Sequence, residues 1–319
     1  MLAPDSVKKL LHLLLYSVVT VILASMFILA SRLVRAPLLG VWGLLICPLP
    51  LAILGCRDGG RAMAWGLLLT ELLLTVLFSI NFAIYFLVGH APLSLAIYTV
   101  AGTRWKVGEA LLACTLTSLG MKLVLVAVGI LLVTMGQVPP PLNYNDPNFY
   151  AGLPPELIPT ARLLPYTLPS LFLILAGLDA FINYKLCVYF LRRRPHLLLS
   201  QRIERCPPVL PPFSNWRLPW SLLPAFMLAM LLGRLWDTKT WLTMAMFAVN
   251  LKVVLGILLF IQGVSLVLWW MKRYNFFLTS RILVFLFIVL FLPMWILIIL
   301  LGVCDIAFNF RLRTPKIRG

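Results

Sequence analysis

Ionisable side chains stand inside apolar stretches that offer them no water. Glu71 lies in AWGLLLTELLLTVLFSIN, Lys122 in LTSLGMKLVLVAV, Asp179 in LILAGLDAFINYK and Lys252 in FAVNLKVVLG. Charges in such surroundings are costly, and they mark cavities and ion paths or pair with one another. Helical spacing gives them polar company. Glu71, Thr75 and Ser79 recur every four residues, as do Cys114, Ser118 and Lys122, and Asp179 and Asn183 form one such step. At a rise of about 1.5 Å per residue, Glu71 lies roughly 13 Å, Asp179 roughly 18 Å and Lys122 roughly 20 Å from the side of the membrane expected to be cytoplasmic. Three helices thus bring charge to overlapping depth, and Glu71, Lys122, Asp179 and Asn183 are the candidate ligand-binding residues. Two readings are open: a solute cavity around Lys122, or a polar cluster that only holds helices together. Lys252, Gly256 and Gly263 share one helical face, which reads as a surface for close helix packing.

The elements that must position these residues follow from composition. Of 319 residues, 62% are hydrophobic and 12% charged, against about 25% charged in a soluble domain. Apolar runs of about twenty residues recur, each long enough to cross about 30 Å of hydrocarbon as a helix. The expected fold is all-α, a polytopic membrane bundle of about eight to nine apolar segments. Candidate spans are Leu10 to Ala30, Pro37 to Leu54, Ala62 to Val88, a short Pro92 to Gly102, Glu109 to Met135 and Leu168 to Leu191. Trp220 to Leu235, Leu242 to Met271 and Ile282 to Cys304 follow a polar interruption. The first of these exceeds the h-region of a cleaved signal peptide, about 7–15 residues, and reads as an uncleaved span.

The net charge of +17 reflects Lys and Arg at the ends of apolar runs, with no basic stripe interleaved with stacking aromatics. The partner is the lipid bilayer, and nucleic acid is not expected. The stretch Gln137 to Pro165 carries Arg162 as its one basic residue, whereas Arg192, Arg193, Arg194, Arg202, Arg205 and Arg217 crowd the next interruption. By the positive-inside rule the first lies outside and the second inside, which puts the N-terminus in the cytoplasm. Within the Arg-rich loop, HLLLSQRIER reads either as a short interfacial helix or as a solvated linker. Trp65, Trp105, Trp216, Trp220 and Trp269 fall near expected interfaces, where indoles ordinarily sit.

The C-terminus sets counting against charge. Nine complete crossings would leave Arg311, Arg313, Lys316 and Arg318 outside, and re-entry of Trp220 to Leu235 would move Lys272, Arg273 and Arg281 out instead. A final segment that turns back near Pro293 keeps all of these inside and is favoured, because proline breaks the helix ladder.

Chemistry is conspicuous by absence. The chain has no H-E-x-x-H, G-x-S-x-G, P-loop or dinucleotide fingerprint, and a single aspartate lies deep in a span. Its cysteines, Cys47, Cys56, Cys114, Cys187, Cys206 and Cys304, form no C-x-x-C pair, and its histidines are dispersed. No enzyme activity, metal or cofactor is expected.

Three segments together carry a resemblance: PLPLAILGCRDGGRAM (Pro48 to Met63), LLFIQGVSLVLWWMKR (Leu258 to Arg273) and LLGVCDIAFNFRLR (Leu300 to Arg313). The chain resembles the YybS-like family of bacterial membrane proteins, a domain of unknown function. Gln262-Gly263 and the Asp305…Asn309-Phe310-Arg311 ending are the most specific parts. The first part of that family is similar to the substrate-binding S component of energy-coupling factor transporters. The resemblance implies a six-helix membrane domain over 1–192, and the pattern of charge and apolar runs adds a cytoplasmic Arg-rich loop over 193–218 and C-terminal membrane helices with a basic tail over 219–319. The last third has no counterpart in ordinary S components, and the first span offers only Thr20 and Ala24 at small-xxx-small spacing.

The expected function is therefore a protein of the bacterial cytoplasmic membrane that binds a small molecule as a transport component. Gln137 to Pro165 would be its lid, and partner subunits would supply any ATP hydrolysis. The alternative is a membrane scaffold or assembly protein without a ligand, whose working surfaces are the Arg-rich loop and the tail.

Overall fold

The computed structural model describes residues 4–33, 46–103, 105–135, 158–193, 207–235, 242–290 and 292–313. Among these there are helices and no strand. Six of the described helices or helix pairs are long and apolar enough to cross a membrane: Val7–Met26, Gly60–Leu77, Ile80–Ala101, Val107–Leu131, Tyr166–Arg192 and Met244–Arg273. Shorter apolar helices cover Leu222–Gly233 and Met294–Phe308. The chain is an all-α polytopic membrane protein. The Arg-rich HLLLSQRIER and the lid stretch up to residue 157 lie outside the described residues.

The helices group into two compact units, one of Met1–Leu142 with Phe172–Leu210, the other of Asn143–Leu171 with Pro211–Gly319. The first contains α1 (Pro4–Leu33), α2 (Pro48–Asp58), α3 (Gly60–Leu77), α4 (Ile80–Gly89), α5 (Ala91–Ala101), α6 (Val107–Thr134) and the larger part of α7 (Ile158–Arg193). Its centre is α2, in which every residue from Pro48 to Arg57 is buried. Leu54, Leu93, Ile97, Cys114, Tyr184 and Leu191 form one core cluster around it. Val21, Cys47, Leu51, Leu74 and Phe86 form another.

Several expected spans are corrected here. Of the second expected span, Pro37 to Leu54, residues 37–45 lie outside the described residues, and the described part begins α2, a helix of 11 residues buried from Pro48 to Arg57. The expected continuous span from Ala62 to Val88 breaks at Phe78–Ser79. Ser79 is extended (φ −176°) and its hydroxyl accepts from Phe82 N, which starts α4 afresh. Conversely, the short Pro92 to Gly102 segment joins α4 across His90 into a stretch of 22 residues, long enough to span. Pro92 falls in the first turn of α5, where its missing N–H leaves no bond unmade. Between α2 and α3 the chain turns at Gly59, whose φ of 93° favours glycine. Ser17 donates to Gly66 O at 3.0 Å, and Thr20 and Ala24 are fully buried. The small residues of α1 are thus used inside the unit.

The second unit holds the start of α7, a 3-10 turn at Phe213–Asn215, α8 (Leu222–Leu235), α9 (Leu242–Arg273), α10 (Leu278–Leu290), α11 (Leu292–Phe308) and α12 (Phe310–Arg313). The α9 and α11 helices touch backbone to backbone. A Cβ at Gly263 would overlap the carbonyl of Ile298, and one at Gly302 would overlap that of Leu259. Trp270 and Phe310 stack with ring centroids 6.4 Å apart, so α9 and α11 run parallel and finish at the same end. The intervening α10 must therefore run back. The stretch Ile282 to Cys304 lies in a helical hairpin whose turn falls ahead of Pro293, and Arg311 comes to lie beside Ser265 of α9. Gly256, expected on the packing face, meets nothing within 4 Å, and Lys252 is exposed. Only Gly263 of that face makes the close approach.

Two outcomes follow. Gly263→Ala and Gly302→Ala should each lower the melting temperature in detergent, at an overpacking cost of about 1–3 kcal/mol. Gly256→Ala should leave it unchanged or raise it, since alanine gains roughly 0.5–1 kcal/mol over glycine in a helix. In a background without native cysteines, Tyr274→Cys and Gly319→Cys should react with an impermeant maleimide from the same side of intact cells. Labelling from opposite sides would contradict the hairpin.

Candidate functional site

In the first unit, α6 and α7 each present two polar side chains one helical turn apart. Lys122 Nζ donates to Asp179 Oδ2 at 2.9 Å and to Ser118 Oγ at 2.7 Å. Ser118 Oγ donates in turn to the same Asp179 oxygen at 2.8 Å. Asn183 Nδ2 donates to Asp179 Oδ1 at 3.0 Å and to the Asp179 carbonyl at 2.9 Å. Both carboxylate oxygens are thereby engaged, which is what a buried carboxyl group needs away from water. Lys122 differs from its partners. Its side chain keeps 17% exposure while that of Asp179 keeps 1%. An ammonium has three donors, and these bonds use two of them.

Of the residues expected to converge, the structure brings Lys122, Asp179 and Asn183 together and keeps Glu71 out of their hydrogen-bond network. Glu71 lies on α3, and its Oε1 is buried with no hydrogen-bond partner. Its spacing with Thr75 has a local use, since Thr75 Oγ1 bonds back to the Glu71 carbonyl at 2.8 Å. Ser79 has left the helix altogether to cap α4.

The sequence reading missed His90, at the junction of α4 and α5. It is 7% exposed, and neither ring nitrogen has a hydrogen-bond partner. Tyr85 stacks edge-on at 5.8 Å, and a Cβ at the adjacent Gly89 would press on Leu125, one turn along α6 from Lys122. A lone histidine at a helix joint gave no periodic signal by which to find it.

A second buried network closes the C-terminal unit. Arg311 donates through Nε to Asp305 Oδ2 at 3.1 Å, through Nη1 to the carbonyls of Ser214 (2.7 Å) and Trp216 (3.0 Å), and through Nη2 to Ser265 Oγ at 3.1 Å. Gln262 Nε2 donates to the same Asp305 oxygen at 2.5 Å while its Oε1 accepts from Leu218 N at 3.0 Å. The Phe213–Leu218 segment is thereby strapped to α9 and α11. Arg311 reaches back because Asn309, at φ 52°, ends α11 in the left-handed conformation that asparagine tolerates. In the same unit Asn250 opens one turn of α7, accepting from Ser170 N at 2.8 Å and donating to the Tyr166 carbonyl at 2.6 Å. All of these side chains serve other protein atoms.

A third cluster joins α1 to the end of α2. Arg57, 3% exposed, donates to the His12 ring at 2.5 Å and to Tyr16 Oη at 3.2 Å. His12 Nδ1 lies 3.1 Å from Asp58 Oδ2. Among the described residues no group of His, Cys, Asp or Glu could hold a metal ion.

Residues 157–306 match the model of a family described as Predicted membrane protein (DUF2232). The matched stretch includes Asp179, Asn183, Gln262 and Asp305, and stops short of Arg311. No curated protein and no solved structure matches the chain.

The Lys122–Asp179 pair should be strongly coupled. Lys122→Met or Asp179→Asn alone leaves the other group uncompensated, at a cost of about 3–5 kcal/mol. The double variant should recover part of that loss in a double-mutant cycle read by thermal unfolding in detergent. Simple additivity would mean that the pair contributes nothing as a pair.

Proposed function

We propose that the chain is a small-molecule-binding component of a membrane transport system, with the solute held at Lys122. The observation that supports this is the asymmetry of the buried cluster. Asp179, Ser118 and Asn183 are sealed and serve one another, while Lys122 keeps exposed surface and an unspent donor. The unpartnered His90 nearby adds a group able to donate or accept. In this reading Asn183 holds Asp179, Asp179 orients the lysine, Lys122 meets an acceptor on the solute, and Glu71 supports the pocket from α3 without touching the cluster. The resemblance of the first part to energy-coupling factor S components supports the same view, with a bacterial cytoplasmic membrane as the location and a cytoplasmic N-terminus. Neither a catalytic role nor a cofactor is assigned, and partner subunits would supply energy.

One observation favours a second reading. Arg311, Gln262 and Ser265 strap the Phe213–Leu218 segment in place, as expected where that surface docks a partner in a scaffold without a ligand.

Native mass spectrometry of the protein extracted in detergent separates the two. A transport component should carry a co-purifying small molecule, and the folded double variant Lys122→Met, Asp179→Asn should lose it. A wild-type protein that carries nothing, with the variant equally well folded, would favour the scaffold.

A further inference from the structure

Between α1 and α3 runs an open groove of about 800 Å³, a volume within the range of ligand sites. Lys9 and Arg61 line it at the end where both helices start, and leucines of both helices, among them Leu14 and Leu72, line its length. From Arg61 to Leu72 the wall extends about 16 Å. Trp65 stands on the wall beside the cations with 65% exposure.

The charge at the mouth is unbalanced. Lys9 and Arg61 are exposed, and the one carboxylate lining the groove is Asp58. Asp58 is already taken, lying 3.1 Å from His12 Nδ1 and 3.7 Å from Arg57 Nε, with only 7% of its side chain exposed. Buried Arg57 adds a further positive charge behind it. The groove therefore presents two cations above a leucine-lined slot, and an indole at the level where indoles meet lipid headgroups.

We propose that this groove is a binding site for an anionic phospholipid. Its phosphate would lie against Lys9 and Arg61, and an acyl chain would lie along the leucines between α1 and α3. A neutral lipid would fill the slot equally well but would leave the two cations without a counter-charge. A free inorganic anion would meet the cations but not the slot. The site is separate from the Lys122 cluster, and it holds whether or not that cluster binds a solute.

The test is native mass spectrometry of the full chain in detergent, titrated with phosphatidylglycerol or phosphatidylcholine of matched chains. The wild-type protein should retain phosphatidylglycerol in preference, by roughly 30-fold at about 5-fold per basic residue. Lys9→Gln with Arg61→Gln should abolish the preference, and Lys272→Gln with Arg273→Gln, an interfacial pair remote in sequence, should leave it intact. Circular dichroism confirms that both variants are folded. Equal retention of the two lipids would overturn the proposal, as would equal loss in both variant pairs. A protein dimer dispersed by the Lys9, Arg61 variant, with no lipid preference, would assign the groove to a second copy of the chain and would also overturn it.

Discussion

A charge removed from water must find its counter-charge inside the protein, and much of this structure follows from that constraint. Asp179 has no exposed surface, and it is tolerable there because Lys122, Ser118 and Asn183 surround its two oxygens. Those partners sit on two helices, so the ion pair fixes how α6 and α7 face each other. Asp305 is held through one oxygen, Oδ2, by Gln262 and Arg311 while its Oδ1 is buried without a hydrogen-bond partner, and Asp58 is met by His12 and Arg57. The clusters differ in what is left over. In the Asp305 and Asp58 clusters the cation is buried with its carboxylate, whereas Lys122 keeps accessible surface.

The backbone obeys the same rule. With no water to complete a broken ladder, each helix end inside the bundle needs a local answer. Ser79 caps α4, Asn309 turns the chain left-handed after α11, and Asn250 inserts its amide into an opened turn of α7. The helix α2 is enclosed by protein from Pro48 to Arg57. Where helices run parallel rather than as antiparallel neighbours, small residues decide the distance. Gly263 and Gly302 let the α9 and α11 backbones meet, and the parallel course brings Arg311 back to the Phe213–Leu218 segment.

Three stretches far apart in sequence take on distinct structural jobs. Pro48 to Met63 is the buried helix α2 with its glycine turn and the Arg57–Asp58 corner. Leu258 to Arg273 supplies Gln262, Gly263 and Ser265, and Leu300 to Arg313 supplies Gly302, Asp305, Asn309 and Arg311. The second and third are two halves of one network. Scattered along the chain, these stretches are in space a corner of one unit and the strap of the other.

Composition alone determined that the chain is helical and lies in a membrane, because 62% hydrophobic residues in runs of membrane-spanning length leave no soluble alternative. Four-residue spacing also carried Ser118 with Lys122 and Asp179 with Asn183, since such pairs share a helix face whatever surrounds them. Beyond one helix the sequence lost its hold. Hydropathy cannot tell one apolar run from two helices with a break, so the turn at Ser79 emerged only from the packed chain, whereas a turn near Pro293 could be read from the proline and the basic tail. Glu71 had the same spacing argument as Lys122, yet which face of α3 meets which neighbour is decided by tertiary packing, and it stayed outside the cluster. His90, Asn250 and the Arg57–His12 contact carry no period at all. Their roles exist only because residues far apart in sequence become neighbours, and a one-dimensional pattern holds no record of that distance.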